Sequence, residues 1–525
     1  MTVTHTDTII VGAGFAGIGL GAKLRRAGYT NFVVLERAGD LGGTWRDNTY
    51  PGVACDVPSH VYSFSFRPSP SWSRRFAEGQ EIHHYLRWVA DEEGVSRHIR
   101  FGADARAIWC DERAVLWRLT TSEGEFSARV LVLAAGRLSE PKLPPVPGLH
   151  LFAAGSDRAY MHSARWDHEV PLEGRRITIV GSGASAIQLV PELAAVASEL
   201  TVMQRSAPYV VPKRDREIPL AERSMFTRVP EAMRRVREGW FWQQEQVFAQ
   251  RALVGSEAET ARRAALAYLE AEIADPALRS RLTPGYEIGC KRVLLSDSYY
   301  RAFTRTNVRL IDSPLASLEA SELIAKDGRR AQADVSVFAT GFQSAHQPYA
   351  QRVFGADGVR LCDEWAEGMY GHASISVPGF PNMFVMNGPN AGLGHNSAIV
   401  MLETQIGYIV QALDYQTATG VEILEVRRDR ADDYATKIAT MSANTVWMRG
   451  GCESWYRDPR NGKLTLLWPG STMSFREAAG RFDARDYMDE GCSIASTASA
   501  SIGSSPSARS MYFRSTTSAS DPALN

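Results

Sequence analysis

The stretch TDTIIVGAGFAGIGLGAKLRRAGYTNFVVLER, Thr6–Arg37, decides the fold. An apolar run ends in Gly12, Gly14 and Gly17, a helical pattern follows, and a second apolar run, FVVLE, ends in Glu36. That order reads as a strand, a glycine turn, a helix and a second strand. Glycine serves there for the tight turn, for backbone approach to a pyrophosphate and for close helix–strand packing. The helix N-terminus attracts the phosphate charge. Glu36 lies 24 residues after Gly12, where a carboxylate accepts hydrogen bonds from ribose hydroxyls. A glycine-rich turn of a doubly wound sheet without a ligand is the alternative reading.

The pattern repeats in RRITIVGSGASAIQLVPELA, Arg175–Ala194, with Gly181, Gly183 and Ala186. Its next strand, LTVMQR, reaches Arg205, again 24 residues after the first glycine. Where the first unit has the acid Glu36, the second has Gln204 and Arg205. A guanidinium suits a 2′-phosphate that a carboxylate would repel. The first site therefore reads as FAD or NAD and the second as NADP, a surface arginine at a strand end being the alternative. Two dinucleotide folds in one chain suit a flavin in one and its hydride donor in the other. The expected class is an NADPH-dependent flavoprotein.

Length and composition narrow the rest. A chain of 525 residues holds about two to four domains, and 44% apolar with 22% charged residues is ordinary for a soluble globular protein. A net charge of −1 offers no basic field for nucleic acid or an anionic membrane. No apolar run approaches the roughly 18 residues of a membrane span. The start, MTVTHTDTIIVGAG, lacks a basic region before its apolar run, so it reads as a first strand rather than a signal peptide. A cytoplasmic, reducing location is expected. Six cysteines form no CxxC pair and eleven histidines show no ligand spacing, so free thiols and no metal are expected.

The expected fold class is α/β, with two Rossmann-like dinucleotide-binding domains and a helical insertion. Alternating strand and helix patterns place the first part of the FAD domain at 1–145, and the proline-rich SEPKLPPVPG leads into a linker at 146–174. The NADPH domain occupies 175–214 and 290–343 around a helical insertion at 215–289. The FAD domain is completed by 344–489. The remainder, 490–525, is Ser-rich, with 11 serines and 6 alanines after Gly491, and disorder is its default.

From about Asp7 to Met488 the chain resembles the class B flavoprotein monooxygenases, the Baeyer–Villiger and flavin-containing monooxygenase family. The resemblance rests on GGTWRDNTYPGVACDVPSHVYSFSF (Gly42–Phe66), GSGASAIQ, QRS, IGCKRVLLSDSYY, FATGF, NGPNAGLGHNS and CESWYRDPRNGK. One element departs. The family's F-x-G-x-x-x-H-x-x-x-W fingerprint is kept at His162, Trp166 and Asp167, but the nearest Phe and Gly are Phe152 and Gly155, four and three residues before the places the fingerprint gives them.

The resemblance implies that NADPH reduces FAD and that a C4a-peroxyflavin transfers one oxygen atom to a small organic substrate. It makes Arg292 the cation that stabilises the oxygenating flavin and Asp56 the acid that orients it. FAD contacts fall on Gly12, Gly14, Ala16, Gly17, Glu36, Thr44, Trp45, Asp47 and Tyr62. NADPH contacts fall on Gly181, Ser182, Gly183, Ser185, Gln188, Arg205, Ser206 and Lys291, with Trp455 near the nicotinamide and substrate. Ketone oxidation to an ester or lactone leads. Oxygenation of a sulfide or amine by the same flavin, and a non-oxygenating NADPH oxidase, stay open. Trp240, Phe241, Trp242 and Phe248 are candidates for a substrate cavity or for plain core, and His395 for a hydrogen-bonding role. Monomer and homo-oligomer fit the sequence equally.

Overall fold

The computed structural model describes residues 3–149, 158–319 and 321–488. Phe152, Gly155 and the Ser-rich tail lie outside the described residues. The chain opens with β1 (Thr4–Val11), α1 (Phe15–Arg26) and β2 (Phe32–Leu35). Thr8, Ile9 and Ile10 of β1 and all of β2 are buried, the continuous run that a strand covered on both faces requires. The short helix α2 (Thr44–Asp47) and α3 (Gly79–Glu92) follow, then β3 (Ile99–Arg100), β4 (Ala105–Asp111), β5 (Leu116–Thr121) and β6 (Gly124–Leu133).

Among the described residues the first sheet runs Val353–Phe354, β4, β5, β6, β1, β2, β3. The pairs from β6 to β3 are parallel, whereas β4, β5 and β6 pair antiparallel. The sheet is thus mixed, not wholly parallel as the alternating pattern predicts. Short connections between β4, β5 and β6 leave no room for a crossover helix. The ten-residue β6 pairs with β5 along its first half and in parallel with Met383–Val385 along its second. The chain therefore returns to its first sheet from far along the sequence, at Val353–Phe354 and again at Met383–Val385. Helix α1 seals this layer through its glycines: a Cβ on Gly19 would meet Phe64 at 2.6 Å and Ile406 at 2.9 Å. Close packing offsets the roughly 0.5–1 kcal/mol that glycine costs inside a helix.

A second sheet is parallel throughout. Its strands are β7 (Ala159–His162), β8 (Arg176–Val180), β9 (Glu199–Met203), Val308–Ile311 and Val335–Phe338, in the order Val308–Ile311, β9, β8, Val335–Phe338, β7. Helix α4 (Ala184–Val196) follows the second glycine turn. The segment around His162, expected as part of a linker, instead supplies the edge strand β7, because Ala159–His162 satisfies the open backbone edge of Val335–Phe338.

Between the halves of this sheet lie α5 (Leu220–Arg228), α6 (Pro230–Gln246), α7 (Phe248–Ala252), α8 (Ser256–Glu272) and α9 (Pro276–Arg281). Trp240 and Phe241 pack on the first core, Phe248 packs beside Cys290, and Trp242 is 54% exposed. These aromatics are divided between two packing surfaces and solvent, and do not gather into one wall.

Candidate active site

The first glycine turn has the shape a dinucleotide needs. Gly12 has φ +111°, and a Cβ there would meet the Ala134 carbonyl oxygen at 2.5 Å. A Cβ on Gly17 would meet the Gly12 oxygen at 1.9 Å, whereas among the described residues Gly14 has only Gly43 nearby, at 3.9 Å. Two glycines thus close the turn and the third leaves its backbone open. Glu36 is buried, and its carboxylate accepts from the backbone N–H of Ala13 (2.9 Å) and Ala38 (3.0 Å) and from Arg46 (2.9 Å). A carboxylate offers about four acceptor sites, so one remains for a ribose hydroxyl. Ala16 is buried in α1. Thr44 opens α2, Trp45 Nε1 donates to the Tyr62 hydroxyl at 3.2 Å, and Arg46 donates to Asp47 at 2.8 Å. These residues fit FAD.

The second turn repeats the geometry. Gly181 has φ +130° and abuts the Ala339 carbonyl oxygen, while Gly183 has nothing among the described residues within 4 Å of its would-be Cβ. Ser185 lies at the start of α4. Arg205, Ser206 and Lys291 converge: Lys291 Nζ donates to Ser206 Oγ at 2.6 Å, and Ser182 Oγ donates to the Ser206 carbonyl at 2.8 Å. Burial lowers the Lys291 pKa, and Arg205 adds to that. Two neighbouring cations at a strand end fit a 2′-phosphate. Gln204 is buried and donates to the Arg281 carbonyl at 2.9 Å, leaving Arg205 as the group that faces out. Gln188, expected as a cofactor contact, uses its amide otherwise: it donates to Ala54 (2.9 Å) and accepts from Tyr50 (2.8 Å). Those bonds tie α4 to the segment that carries Asp56.

Arg292 and Asp56, 236 residues apart, form a bidentate pair, with Nε to Oδ2 at 2.6 Å and Nη2 to Oδ1 at 2.7 Å. Burial opposes both charges, yet each partner's field outweighs it. Asp56 is held below the usual carboxylate range and Arg292 above its usual value. Arg137, from the loop after β6, and Arg251, from α7, also feel Arg292; burial first and then its charge bring both down to about 10. Tyr456 is buried against the same guanidinium groups, its hydroxyl pKa raised by burial. Trp455 stacks obliquely on Tyr456 with ring centroids 4.4 Å apart, and is 42% exposed. A cleft of about 930 Å³, lined by Trp45, Gly52, His83, Gln188 and Lys213 among others, opens beside α4 without reaching Arg292.

Sequence reasoning overlooked Arg137, Arg251 and Tyr456. Tyr456 stands within the CESWYRDPRNGK motif, but isolated arginines carry no local signal. The expectation of free thiols needs correction: Cys290 and Cys452 form a disulfide across 162 residues, while Cys55, Cys110 and Cys362 are free. The fold brings them together because the short helix Val446–Arg449 and α7 pack around Cys290.

His395 does have a hydrogen-bonding role, with Glu245 of α6 at 2.9 Å. Glu245 also accepts from Asn396 Nδ2 (3.1 Å) and from the backbone N–H groups of Thr472 (3.2 Å) and Met473 (3.3 Å) at the start of the helix Thr472–Ala479. Burial pushes the carboxyl up, but the hydrogen bonds from His395, Thr472 and Asn396 outweigh it and hold the pKa at about 2. Against an ordinary 4.5, this depression is worth about 3 kcal/mol. The folded pKa is the lower one, so the contribution is complete above pH 4.5 and fades as pH falls toward 2. Glu245→Gln is expected to lose about 2–3 kcal/mol at pH 7, and to lose less stability than the parent on going from pH 5 to 3. Urea unfolding at both pH values tests this; parallel losses in the two proteins would refute it.

The pyridine nucleotide-disulphide oxidoreductase family matches residues 9–225. A Baeyer-Villiger monooxygenase of Streptomyces coelicolor is 42% identical over 489 residues, 92% of each chain. Another, from Pseudomonas aeruginosa, is 37% identical over 485 residues, covering 92% of this chain and 91% of its own. A solved steroid monooxygenase bound to NADP superposes with a TM-score of 0.79 at 29% identity, covering 90% of this chain and 97% of the other. A closed crystal structure of cyclohexanone monooxygenase gives 0.80 at 26%, covering 91% and 97%. Likeness that spans both glycine turns and nearly the whole of each relative places this chain in the Baeyer–Villiger monooxygenase family.

Proposed function

We propose that the chain uses NADPH and O2, through bound FAD, to insert one oxygen atom beside the carbonyl of a ketone, giving an ester or lactone. The observation that carries this reading is the bidentate Arg292–Asp56 pair. Its Asp56 lies two residues beyond Ala54, the point where α4 of the second nucleotide unit is bonded to the first. FAD, once reduced by NADPH, supplies the oxygen-activating chemistry.

The protein's residues hold, orient and exclude. Gly12, Gly14, Ala16, Gly17, Glu36, Thr44, Trp45, Asp47 and Tyr62 would hold FAD. Gly181, Ser182, Gly183, Ser185, Arg205, Ser206 and Lys291 would hold NADPH, Trp455 would stand near the nicotinamide, and Gln188 would position α4. Arg292 holds a charge that no accessible pH removes. Asp56 engages two of its five N–H donors, leaving three to stabilise the oxygen anion that develops during transfer. The apolar cluster of Trp447, Tyr456, Leu464 and Leu467 packs beside Cys290, two residues before Arg292, and limits water on that side of the pair, whose side chains keep 26% and 23% exposure; lower local water strengthens the electrostatic interaction. Among the described residues no helix is long and apolar enough to cross a membrane. A cytoplasmic site of action is proposed on the NADPH requirement.

Turnover of cyclic and aryl ketones under ¹⁸O2 tests the reading. One labelled oxygen per ester and one NADPH per product are expected. NADPH loss matched by hydrogen peroxide, or label appearing only in sulfoxide or N-oxide when sulfides and amines are supplied, would overturn it.

A further inference from the structure

We propose that Cys290 and Cys452 are a reversible thiol–disulfide pair that fastens the loop bearing Glu453 and Trp455 to the segment bearing Lys291 and Arg292, and that the fastened loop weakens NADPH binding. The second half rests on the NADPH reading of Arg205 and Lys291 given above.

The pair is placed to couple the two segments. Cys290 immediately precedes Lys291, and Cys452 immediately precedes Glu453. The bonded residues stand with Cα atoms 6.2 Å apart. Cys290 is fully buried among Ala252, Val446 and Leu467, whereas Cys452 is only partly buried beside the exposed Gly451. With the bond closed, the Glu453 carboxylate lies 3.7 Å from the Arg205 guanidinium, its only ion pair among the described residues. That carboxylate neutralises one of the cations assigned to the 2′-phosphate and repels a phosphate approaching the other. The Glu453 side chain is 89% exposed, and an ion pair so open does not hold a loop by itself. The Glu287 N–H donates to the Gly450 carbonyl at 3.0 Å, and the disulfide adds the covalent hold nearest Glu453. Once it opens, Glu453 is free to leave Arg205 for water.

The chemistry closes with hydrogen peroxide as oxidant, the species that a flavin releases when oxygen transfer fails. The thiolate of Cys452 attacks one peroxide oxygen and breaks the O–O bond, giving a sulfenic acid and, after protonation, water. The Cys290 thiolate then attacks that sulfur and displaces hydroxide, which leaves as a second water. Two thiols are oxidised by two electrons and one peroxide is reduced to two waters. A small dithiol reverses the bond by exchange, releasing both thiols and becoming a disulfide itself. The partly exposed sulfur is the one such reagents meet first.

The test uses the purified holoenzyme, treated with dithiothreitol or with hydrogen peroxide and then freed of reagent. Thiols are alkylated in denaturant and counted by intact mass, with peptide mapping of Cys290 and Cys452. NADP⁺ and NAD⁺ are titrated into both forms by following the flavin spectrum. The expected result is a reversible difference of two thiols confined to this pair. NADP⁺ should bind about two- to five-fold more tightly to the reduced form, the range an exposed ion pair provides, with no difference for NAD⁺. Glu453→Gln should abolish the NADP⁺ difference while keeping the thiol difference. Cys452→Ser should bind NADP⁺ like the reduced parent whatever the treatment. A bond that dithiothreitol never opens in the folded enzyme, two thiols that peroxide never joins, or equal NADP⁺ affinities would each overturn the proposal. If neither form binds NADP⁺, the NADPH reading and the role of Glu453 fall together, and the thiol count still decides the pair. A protein that oxygenates no ketone leaves every one of these readouts intact.

Discussion

Replacing Arg292 with alanine is expected to lower oxygenated product by at least 10²–10³-fold while FAD stays bound and NADPH still reduces it. That range is what loss of one preorganised anion-stabilising donor removes from other enzymes. Here the removed group carries a full charge, so the upper part of the range is the better guide. The FAD-contact residues assigned above, from Gly12 to Tyr62, do not include Arg292, and this is why binding and oxygenation should separate. Arg292→Lys is expected to recover only part of the loss. An ammonium is a point charge and cannot engage both oxygens of Asp56 as the guanidinium does at 2.6 and 2.7 Å. Asp56→Asn should fall between the two, since it keeps the charge of Arg292 but loosens its aim. Product per NADPH, peroxide per NADPH and flavin content, measured on each variant, decide the matter. Arg292→Ala with parental product yield would remove this residue from the chemistry.

The second large effect concerns the choice of nicotinamide cofactor. Arg205→Ala should raise the KM for NADPH about ten-fold and leave that for NADH within about two-fold. Charged hydrogen bonds contribute about 1.5–3 kcal/mol, and the Arg205 side chain is 66% exposed, so solvent screening argues for the lower end. The effect should shrink as salt rises from 0.05 to about 0.5 M, because screening acts on exposed charges. Lys291→Ala should act in the same direction, since Lys291 reaches the same Ser206. Equal increases for NADPH and NADH would show that Arg205 does not read the phosphate.

Much of the fold was legible because it depends on neighbours in the chain. Gly12, Gly17 and Gly181 sit where a Cβ would strike backbone oxygen, and a positive φ or a close approach is a demand that one residue answers alone. The equal 24-residue spacing to Glu36 and Arg205 follows from the fixed rise of a helix and a strand. The mixed first sheet was less legible, since the antiparallel β4–β6 ribbon and the parallel strands share one apolar vocabulary. The strand at His162 was missed for another reason: four residues at a sheet edge carry too little periodicity to stand out from a linker.

The candidate site divides in the same way. The residue types and spacings by themselves determined two dinucleotide-shaped turns, the acid at one strand end and the cation at the other, and a helical stretch after the second turn. The match of Arg292 to Asp56 came from resemblance to a family, and their contact distance from the fold. Only the tertiary structure joined Cys290 to Cys452, aimed Glu245 at His395 and two backbone N–H groups, diverted Gln188 to Ala54 and Tyr50, and gathered Arg137, Arg251 and Tyr456 around Arg292. The reason is physical. Turns, helices and strand ends obey local sterics and hydrogen bonding, whereas contacts between residues far apart in the chain exist only after two cores have packed and fixed which side chains share a buried volume.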